Sequence, residues 1–341
     1  MRKVNLKALS ADALGSFVKD AGLPAFRGRQ ILHWVYERGA QSLDEITELS
    51  KKLRDDLSER AYISNLIVLD RQTSGDGTEK FLFGLEDGET IESVLIPDEE
   101  RLTLCVSSQV GCAMGCVFCL TGKLELKRNL DPHEIVDQVI SINRLIFPRR
   151  ITNIVLMGMG EPLANFDSVV EALRRITGYM KISPKRVTLS TSGIVPKIVE
   201  LGRNGPKVNL AISLNATTDT VRDRIMPINK TYQIKAVLEA CRRFPLQPTR
   251  RITFEYVMLK GINDSVADAK RLVRLLHGIS SKINLIPFNP FSGCEYARPD
   301  DSRVLQFQEI LAQSDMTVII RKSKGQDILA ACGQLRAGYK G

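Results

Sequence analysis

The chain has 341 residues, 43% of them hydrophobic and 26% charged, with a formal net charge of +9. That length and composition allow roughly three quarters of the unfolded surface to be buried, in one large domain or a large one plus a small one, and exclude a collagenous, coiled-coil or disordered chain. No run of about eighteen apolar residues exists to span a membrane, and the start Met-Arg-Lys-Val-Asn-Leu-Lys lacks the apolar stretch of a signal peptide, so a cytoplasmic protein is expected. Seven cysteines, an odd number in a reducing compartment, read as ligands, catalytic thiols or buried small residues rather than a disulfide framework. Basic residues gather in Phe147-Pro-Arg-Arg150, Lys181-Ile-Ser-Pro-Lys-Arg186, Arg250-Arg251 and Arg321-Lys-Ser-Lys324. The balance suits a polyanionic partner, although mild basicity also serves solubility.

The first sixty residues carry apolar positions at helical spacing, in Ala11–Val18 and Arg29–Tyr36, punctuated by Gly22, Pro24 and Gly39. Ser42-Leu-Asp-Glu-Ile46 has the Ser-x-x-Glu of a capping box and predicts a third helix with Leu43, Ile46, Leu49 and Leu53 on one face. Residues 1–61 therefore form a small helical domain, with Trp34 as a core aromatic and His33 at the surface. From about residue 62 the pattern alternates, in Leu66–Asp70, Lys80–Leu85 and Ile91–Ile96, with turn signals between, so residues 62–98 read as a connecting β-meander. Beyond it, residues 99–341 alternate strand and helix. Strands fall at Leu102–Ser107, Ile151–Met157, Arg186–Ser190, Val208–Leu214, Ile252–Met258 and Ile283–Pro287. Six such units predict an α/β fold, a parallel sheet either open or curved into a partial (β/α)6 barrel, with its active site at the C-terminal strand ends.

Cys112, Cys116 and Cys119 stand in the loop after the first of these strands, in a CxxxCxxC run. Structural zinc wants a closed tetrahedron of Cys and His, and the nearest downstream histidine, His133, is too distant to complete it. Three cysteines can instead hold three irons of a [4Fe–4S] cluster and leave the fourth open, which serves catalysis rather than structure. One strand later comes Met157-Gly-Met-Gly-Glu-Pro-Leu163, whose glycines let the backbone approach a ligand and whose Glu161 can pair with a positive amino group. By itself the segment also reads as an ordinary strand-to-helix turn. Polar residues in Thr188–Gly193, Ala211–Asn215 and Ile286–Pro290 would be partnered by a ribose or amino-acid moiety, or would cap the following helices. Cys332 lies in a Gly-bounded, small-residue stretch after a Thr317–Arg321 strand, which suits a mobile loop delivering a thiol and equally a buried small hydrophobe. Cys105, at the end of the first core strand, reads with more force as a buried small hydrophobe; Cys241 and Cys294 match no motif and are structural. Glu92 shares a strand face with Val94 and Ile96, where an apolar setting would favour proton uptake near neutrality; an exposed edge carboxylate is the alternative.

The cysteine spacing, with Phe118 before the last cysteine, resembles the signature of the radical S-adenosylmethionine (SAM) superfamily. Cys105-Val-Ser-Ser-Gln-Val-Gly-Cys112, Gly158-Met-Gly-Glu-Pro-Leu163, Pro287-Phe-Asn-Pro290 and Ala330-Ala-Cys-Gly-Gln-Leu335 occur in order. With Phe26–Tyr36 they narrow the resemblance to the RlmN-type RNA methyltransferases, over nearly the whole length. The resemblance implies a radical-SAM partial barrel that makes 2-methyladenosine in 23S rRNA, at the peptidyl-transferase centre, and in tRNA, 3′ of the anticodon. It assigns Cys112, Cys116 and Cys119 to a [4Fe–4S] cluster, and Gly160, Glu161, Ser192, Ser213, Leu214, Asn215 and Asn289 to SAM. Asn215 stands where many relatives have His; it still donates and accepts hydrogen bonds.

By the same resemblance two SAM molecules serve each turnover. One methylates Cys332; the other yields a 5′-deoxyadenosyl radical that takes a hydrogen from the S-methyl group, and the carbon radical adds to C2. Glu92 is implied as the base that removes the C2 proton, and Cys105 as the thiol that resolves the protein–RNA adduct by forming a disulfide with Cys332. Also implied are a reducing electron donor such as flavodoxin or ferredoxin, a monomeric state, and RNA binding by the helical domain and the basic clusters. The nearest alternative is a Cfr-type enzyme acting at C8, against which Val110 speaks, since Cfr relatives tend to have cysteine there. An alternative of another class is a non-catalytic, metal-containing RNA-binding protein.

Overall fold

The computed structural model describes residues 3–336, so the outermost ends of the first and last predicted domains lie outside the described residues. The N-terminal unit opens with α1 (Ala11–Asp20), where the Ser10 hydroxyl accepts the Ala13 N–H at 3.1 Å and Leu14 and Val18 are buried. α2 (Phe26–His33) widens into one π turn, Trp34–Arg38, that ends at Gly39 with φ of 71°. The helix predicted from Ser42 does not form there. Leu43–Glu45 is a single 3₁₀ turn and the Ser42 side chain caps nothing. The apolar residues Leu43, Ile46 and Leu49 recur every third position, which matches the three-residue period of a 3₁₀ turn, and all three are buried. α3 (Lys51–Arg60) begins instead at Ser50, whose hydroxyl accepts the Leu53 N–H at 3.3 Å. Val4–Asn5 pairs with Ala61–Tyr62 and closes the unit.

A ten-stranded sheet carries the rest: β1 (Ile67–Thr73), β2 (Glu79–Gly84), β3 (Thr90–Asp98), β4 (Arg101–Cys105), β5 (Asn153–Leu156), β6 (Val187–Thr191), β7 (Asn209–Ser213), β8 (Ile252–Met258), β9 (Ser281–Pro287) and β10 (Val318–Ile320), while Gln109–Val110 and Arg128–Asn129 form a separate antiparallel pair. Within the large sheet every strand is bonded to the next one along the chain. β1 to β4 are antiparallel; from β4 to β10 all pairs are parallel. The segment read as a connector is thus hydrogen-bonded into the catalytic sheet as its antiparallel flank. Helices follow the parallel strands, among them α4 (Pro132–Leu145), α5 (Phe166–Gly178), α6 (Val195–Asn204) and α7 (Asp219–Ile225). α4 starts on a capping box in which Glu134 accepts the Asp131 N–H at 2.8 Å.

β1 and β10 do not pair, so the barrel stays open, and the chain after β10 crosses the gap. Asp327 accepts the Ser74 hydroxyl at 2.5 Å, Gly325 donates to Asp76 at 2.9 Å, and the Lys324 ammonium donates to the Pro97 carbonyl.

The helical unit is fastened to the core by buried charge. Lys7 meets Asp137 of α4 at 2.5 Å with both side chains almost wholly buried, and Arg175 of α5 donates to the Lys7 carbonyl at 2.7 Å and the Tyr36 hydroxyl at 3.1 Å. Removing one partner strands the other charge in a dry setting. Lys7→Met is therefore expected to cost about 3 kcal/mol of unfolding free energy, read as a lowered denaturant midpoint; a shift equivalent to under about 1 kcal/mol would contradict the account.

Candidate active site

The cavity at the C-terminal ends of the parallel strands is lined by the three motif cysteines together with Glu161, Ser192, Asn289 and Cys332. The turn after β5 can approach the cysteine loop only because it is bare. Gly160 has φ of 98°, and a Cβ there would stand 2.6 Å from the Gln109 Cβ. Likewise a Cβ on Gly122 would stand 2.9 Å from the Cys116 carbonyl, which keeps the cysteine loop tightly folded.

Burial pushes Cys112 up to about 11, Cys116 well above the usual thiol range, and Cys119 upward as well, and at Cys116 the two neighbouring motif thiols add to the rise. Three crowded, half-buried sulfurs cannot all ionise without cationic charge among them, so this donor set fits a thiolate-ligated iron–sulfur cluster. Among the described residues no three Cys, His, Asp or Glu side chains converge on one ion position; a cubane asks for one thiolate per iron.

Glu161 faces this loop. Its Oε1 accepts the Thr191 hydroxyl at 2.6 Å and the Leu163 N–H at 3.0 Å, and its Oε2 accepts the Ser192 N–H at 2.7 Å. Burial raises its pKa while these bonds work the other way. A carboxylate has about four acceptor positions, so one remains for a donor in the cavity. Ser213 and Asn215 line the cavity. Asn215 has φ of 58°, a left-handed conformation that Asn tolerates well, and accepts the Val257 N–H at 2.8 Å. Leu214, between them, points its side chain into the hydrophobic core, as strand alternation requires. Its N–H donates to the Glu255 carbonyl at 3.0 Å, and its carbonyl accepts from Arg222 at 3.0 Å. Asn289 lines the cavity and accepts from Gln326 at 2.6 Å, which ties the β9 end to the C-terminal segment.

Cys332 and Cys105, more than two hundred residues apart in the chain, come together around a guanidinium. Arg321, the residue after β10, is half-buried and hydrogen-bonds the Cys332 sulfur; its pKa is raised by Cys332 first and then by Glu255 and Cys105, against the burial that lowers it. It also reaches the Met157 sulfur, at 3.9 Å, on the far side of the open barrel. Cys332 lines the cavity, whereas Cys105 lies behind it, buried, with its thiol pushed up to about 12 by that burial first and by Cys332 second. The disulfide implied by the resemblance is not formed. All seven cysteines are free, and a thiol pushed to about 12 stays protonated at neutral pH.

Glu92 does not line the cavity. It is buried rather than an exposed edge carboxylate, 3.3 Å from the Lys80 ammonium, and accepts the Arg336 N–H at 2.6 Å four residues beyond Cys332. Burial raises its pKa; Lys80 and the Arg336 N–H oppose the rise. The Cys332 loop is further held by Leu120 N–H donating to the Gly333 carbonyl at 2.6 Å and by the Thr121 hydroxyl donating to the Leu335 carbonyl at 2.7 Å.

Sequence reasoning missed three charged groups. Arg321 reads in the sequence only as part of a basic cluster. Glu255 lines the cavity with one oxygen on the Ser190 hydroxyl at 3.1 Å and the other unpartnered. Arg222, fully buried, donates to the carbonyls of Ser192 at 2.7 Å and Ser213 at 3.1 Å, fixing two walls of the cavity. None of them stands in a motif; only the topology brings them to the site.

Comparison with known proteins agrees with this fold. Residues 106–273 match the radical SAM superfamily and residues 4–63 match the ribosomal RNA large subunit methyltransferase N-terminal domain. The chain is 54% identical over 336 residues to the dual-specificity RNA methyltransferase RlmN of Pelobacter propionicus, covering 98% of this chain and 96% of that one. Against the same enzyme of Geobacter sulfurreducens it is 53% identical, covering 98% and 92%. The crystal structure of a radical SAM methyltransferase from Sphaerobacter thermophilus superposes with a TM-score of 0.94 at 42% identity, covering 98% of this chain and all of that one. With its N-terminal unit, three-cysteine loop and C-terminal thiol in one frame, the chain belongs to the RlmN family of radical SAM RNA methyltransferases.

Proposed function

We propose that this enzyme methylates C2 of adenosine in 23S rRNA and in tRNA, with Cys332 as the methyl carrier. The observation that carries the reading is a free thiol, on a strapped C-terminal loop, opening into the same cavity as the CxxxCxxC loop. When bound through Cys112, Cys116 and Cys119, a [4Fe–4S] cluster with SAM supplies methyl and radical chemistry, at two SAM per turnover. Glu161 would receive the amino group of SAM, while Ser192, Ser213, Asn215 and Asn289 offer polar contacts along the cavity wall. Arg321 would hold the Cys332 sulfur in place as it accepts a methyl group. Cys105, once it has given up its proton, would free Cys332 from the RNA-bound adduct by attacking the carrier sulfur, the S–C bond to the RNA breaking as an S–S bond forms and the released methylene carbon keeping the electron pair and taking a proton. A flavodoxin- or ferredoxin-like reductant, a monomeric state and RNA contact through residues 1–61 complete the proposal.

Glu92 would take the C2 proton. Because burial holds it above the usual carboxylate range, and a base must first be deprotonated, activity should rise with pH through that raised pKa. Glu92→Gln is expected to lower the rate about 10²-fold or more and to abolish that acid limb; a limb unchanged in the variant would remove Glu92 from this role. Nucleoside mass spectrometry of treated RNA tests the function itself. It should show 2-methyladenosine; 8-methyladenosine, or no SAM cleavage under reduction, would overturn it.

A further inference from the structure

A second concave surface lies at the other end of the sheet. Two of the basic clusters, separate in sequence, meet there. The groove is lined by Arg144, Phe147 and Arg150 from the end of α4 and the loop after it, by Lys181 from the loop after α5, and by Glu37 and Arg38 from the N-terminal unit. Four cations face one anion. Lys181 is engaged with Glu37 at 2.7 Å and Arg144 with the Gly39 carbonyl at 2.8 Å. Arg38, Arg150 and the adjacent Arg149 are exposed and make no ion pair or side-chain hydrogen bond among the described residues. Phe147 is 75% exposed in their midst, the most exposed of the large hydrophobic side chains.

Unpaired guanidinium groups around a solvent-facing ring suit a polyanion that also has flat faces. Phosphates take the guanidinium forks and a base stacks on the ring. We propose that this groove is a second RNA-binding site, for an unstacked base and its flanking phosphates in a part of the folded RNA remote from the target adenosine. The assignment rests on the RNA-methyltransferase reading. An acidic electron-donor protein fits the charge but not the place. Ile151 and Ile182 of the groove precede β5 and β6, whereas the cysteines lie beyond the opposite strand ends. The five residues of β6 alone set the two ends roughly 16 Å apart, and a donor must come close to the cluster it reduces. An RNA occupying both sites has to span at least that distance, which suits a long, folded RNA.

The test uses the cluster-loaded full chain with two variants, Phe147→Ala and Arg149→Gln/Arg150→Gln. All three side chains are exposed, and none touches the cavity. Full-length tRNA transcript and a short anticodon hairpin are the probes, with affinity measured across a salt series. For the full-length transcript the aromatic variant should bind about tenfold more weakly. The double variant should lose about 1.5 from the slope of log affinity against log salt. Neither should change hairpin affinity, SAM affinity or the iron–sulfur absorption. Equal losses on hairpin and transcript, or no loss on either, would overturn the second site. Intact transcript affinity with slower reduction by a flavodoxin, and normal turnover with a chemical reductant, would make the groove a donor dock and overturn it too. Failure of the unmodified protein to bind either RNA would instead sink the methyltransferase reading on which the proposal rests.

Discussion

A Cys105→Ala variant, given RNA, SAM and a reductant, should accumulate a covalent protein–RNA species instead of turning over. The expectation follows from how the two thiols are arranged. Cys332 faces the cavity and can reach a base there, while Cys105 lies behind it against the same guanidinium and is shielded from the cavity. Removing Cys105 leaves the route to the adduct intact and takes away the nucleophile proposed to release it. Multiple turnover should fall by at least about 10³-fold, and a slow-migrating, nuclease-sensitive band should approach one equivalent per protein. Normal turnover in this variant would exclude Cys105 from the chemistry. Its substitution deletes only one small buried side chain, so a folding defect large enough to mimic the effect would show in the melting curve.

Replacement of the carrier itself should have the opposite signature. Cys332→Ala is expected to make neither methylated RNA nor adduct, a loss of at least about 10³-fold, while keeping its iron–sulfur absorption and its affinity for SAM. Cys332 is held by contacts of neighbouring backbone, Gly333 with Leu120 and Leu335 with Thr121, which do not involve its sulfur. The loop should therefore keep its place in the variant. Peptide mass spectrometry of the unmodified protein should find a methyl group on Cys332 and on no other cysteine; residual methylation of RNA by Cys332→Ala would displace it as carrier. In the double variant Cys105→Ala/Cys332→Ala the covalent band should vanish, which separates a carrier from a bystander.

The strands that bear the site were legible in the sequence because parallel, doubly covered strands are short apolar runs bounded by turn residues, and the cysteine and Gly-Glu loops fall at their ends. The start of α3 was not. Ser42 and Ser50 both carry capping side chains, and the choice between them depends on packing of Leu43, Ile46 and Leu49 that no local signal expresses. β1 to β3 were visible as strands, but their union with the catalytic sheet comes from the pairing of β3 with β4, a tertiary fact. Ser213 and Asn215 were found by their polarity; alternation then dictates that Leu214 turns away. Arg321 shows the harder case. Its neighbours in sequence are lysine, serine and isoleucine, and nothing local tells that its guanidinium meets one thiol at the end of a central strand and another in the loop beyond the last strand.

The strictly successive order of the sheet has a bearing on how the enzyme comes into being. A chain emerging from its N-terminus can add β1 through β10 one after another, each onto the edge just made, with only local loop closure at each step. The exception comes last. The bonds from Asp327 and Gly325 back to Ser74 and Asp76 join residues about 250 apart, and they form only once all ten strands are in place. The three-cysteine loop is complete long before that. During synthesis the nascent barrel therefore passes through a stage with its thiolate ligands assembled and its mouth still open, a window for cofactor loading that shuts when the carrier thiol arrives.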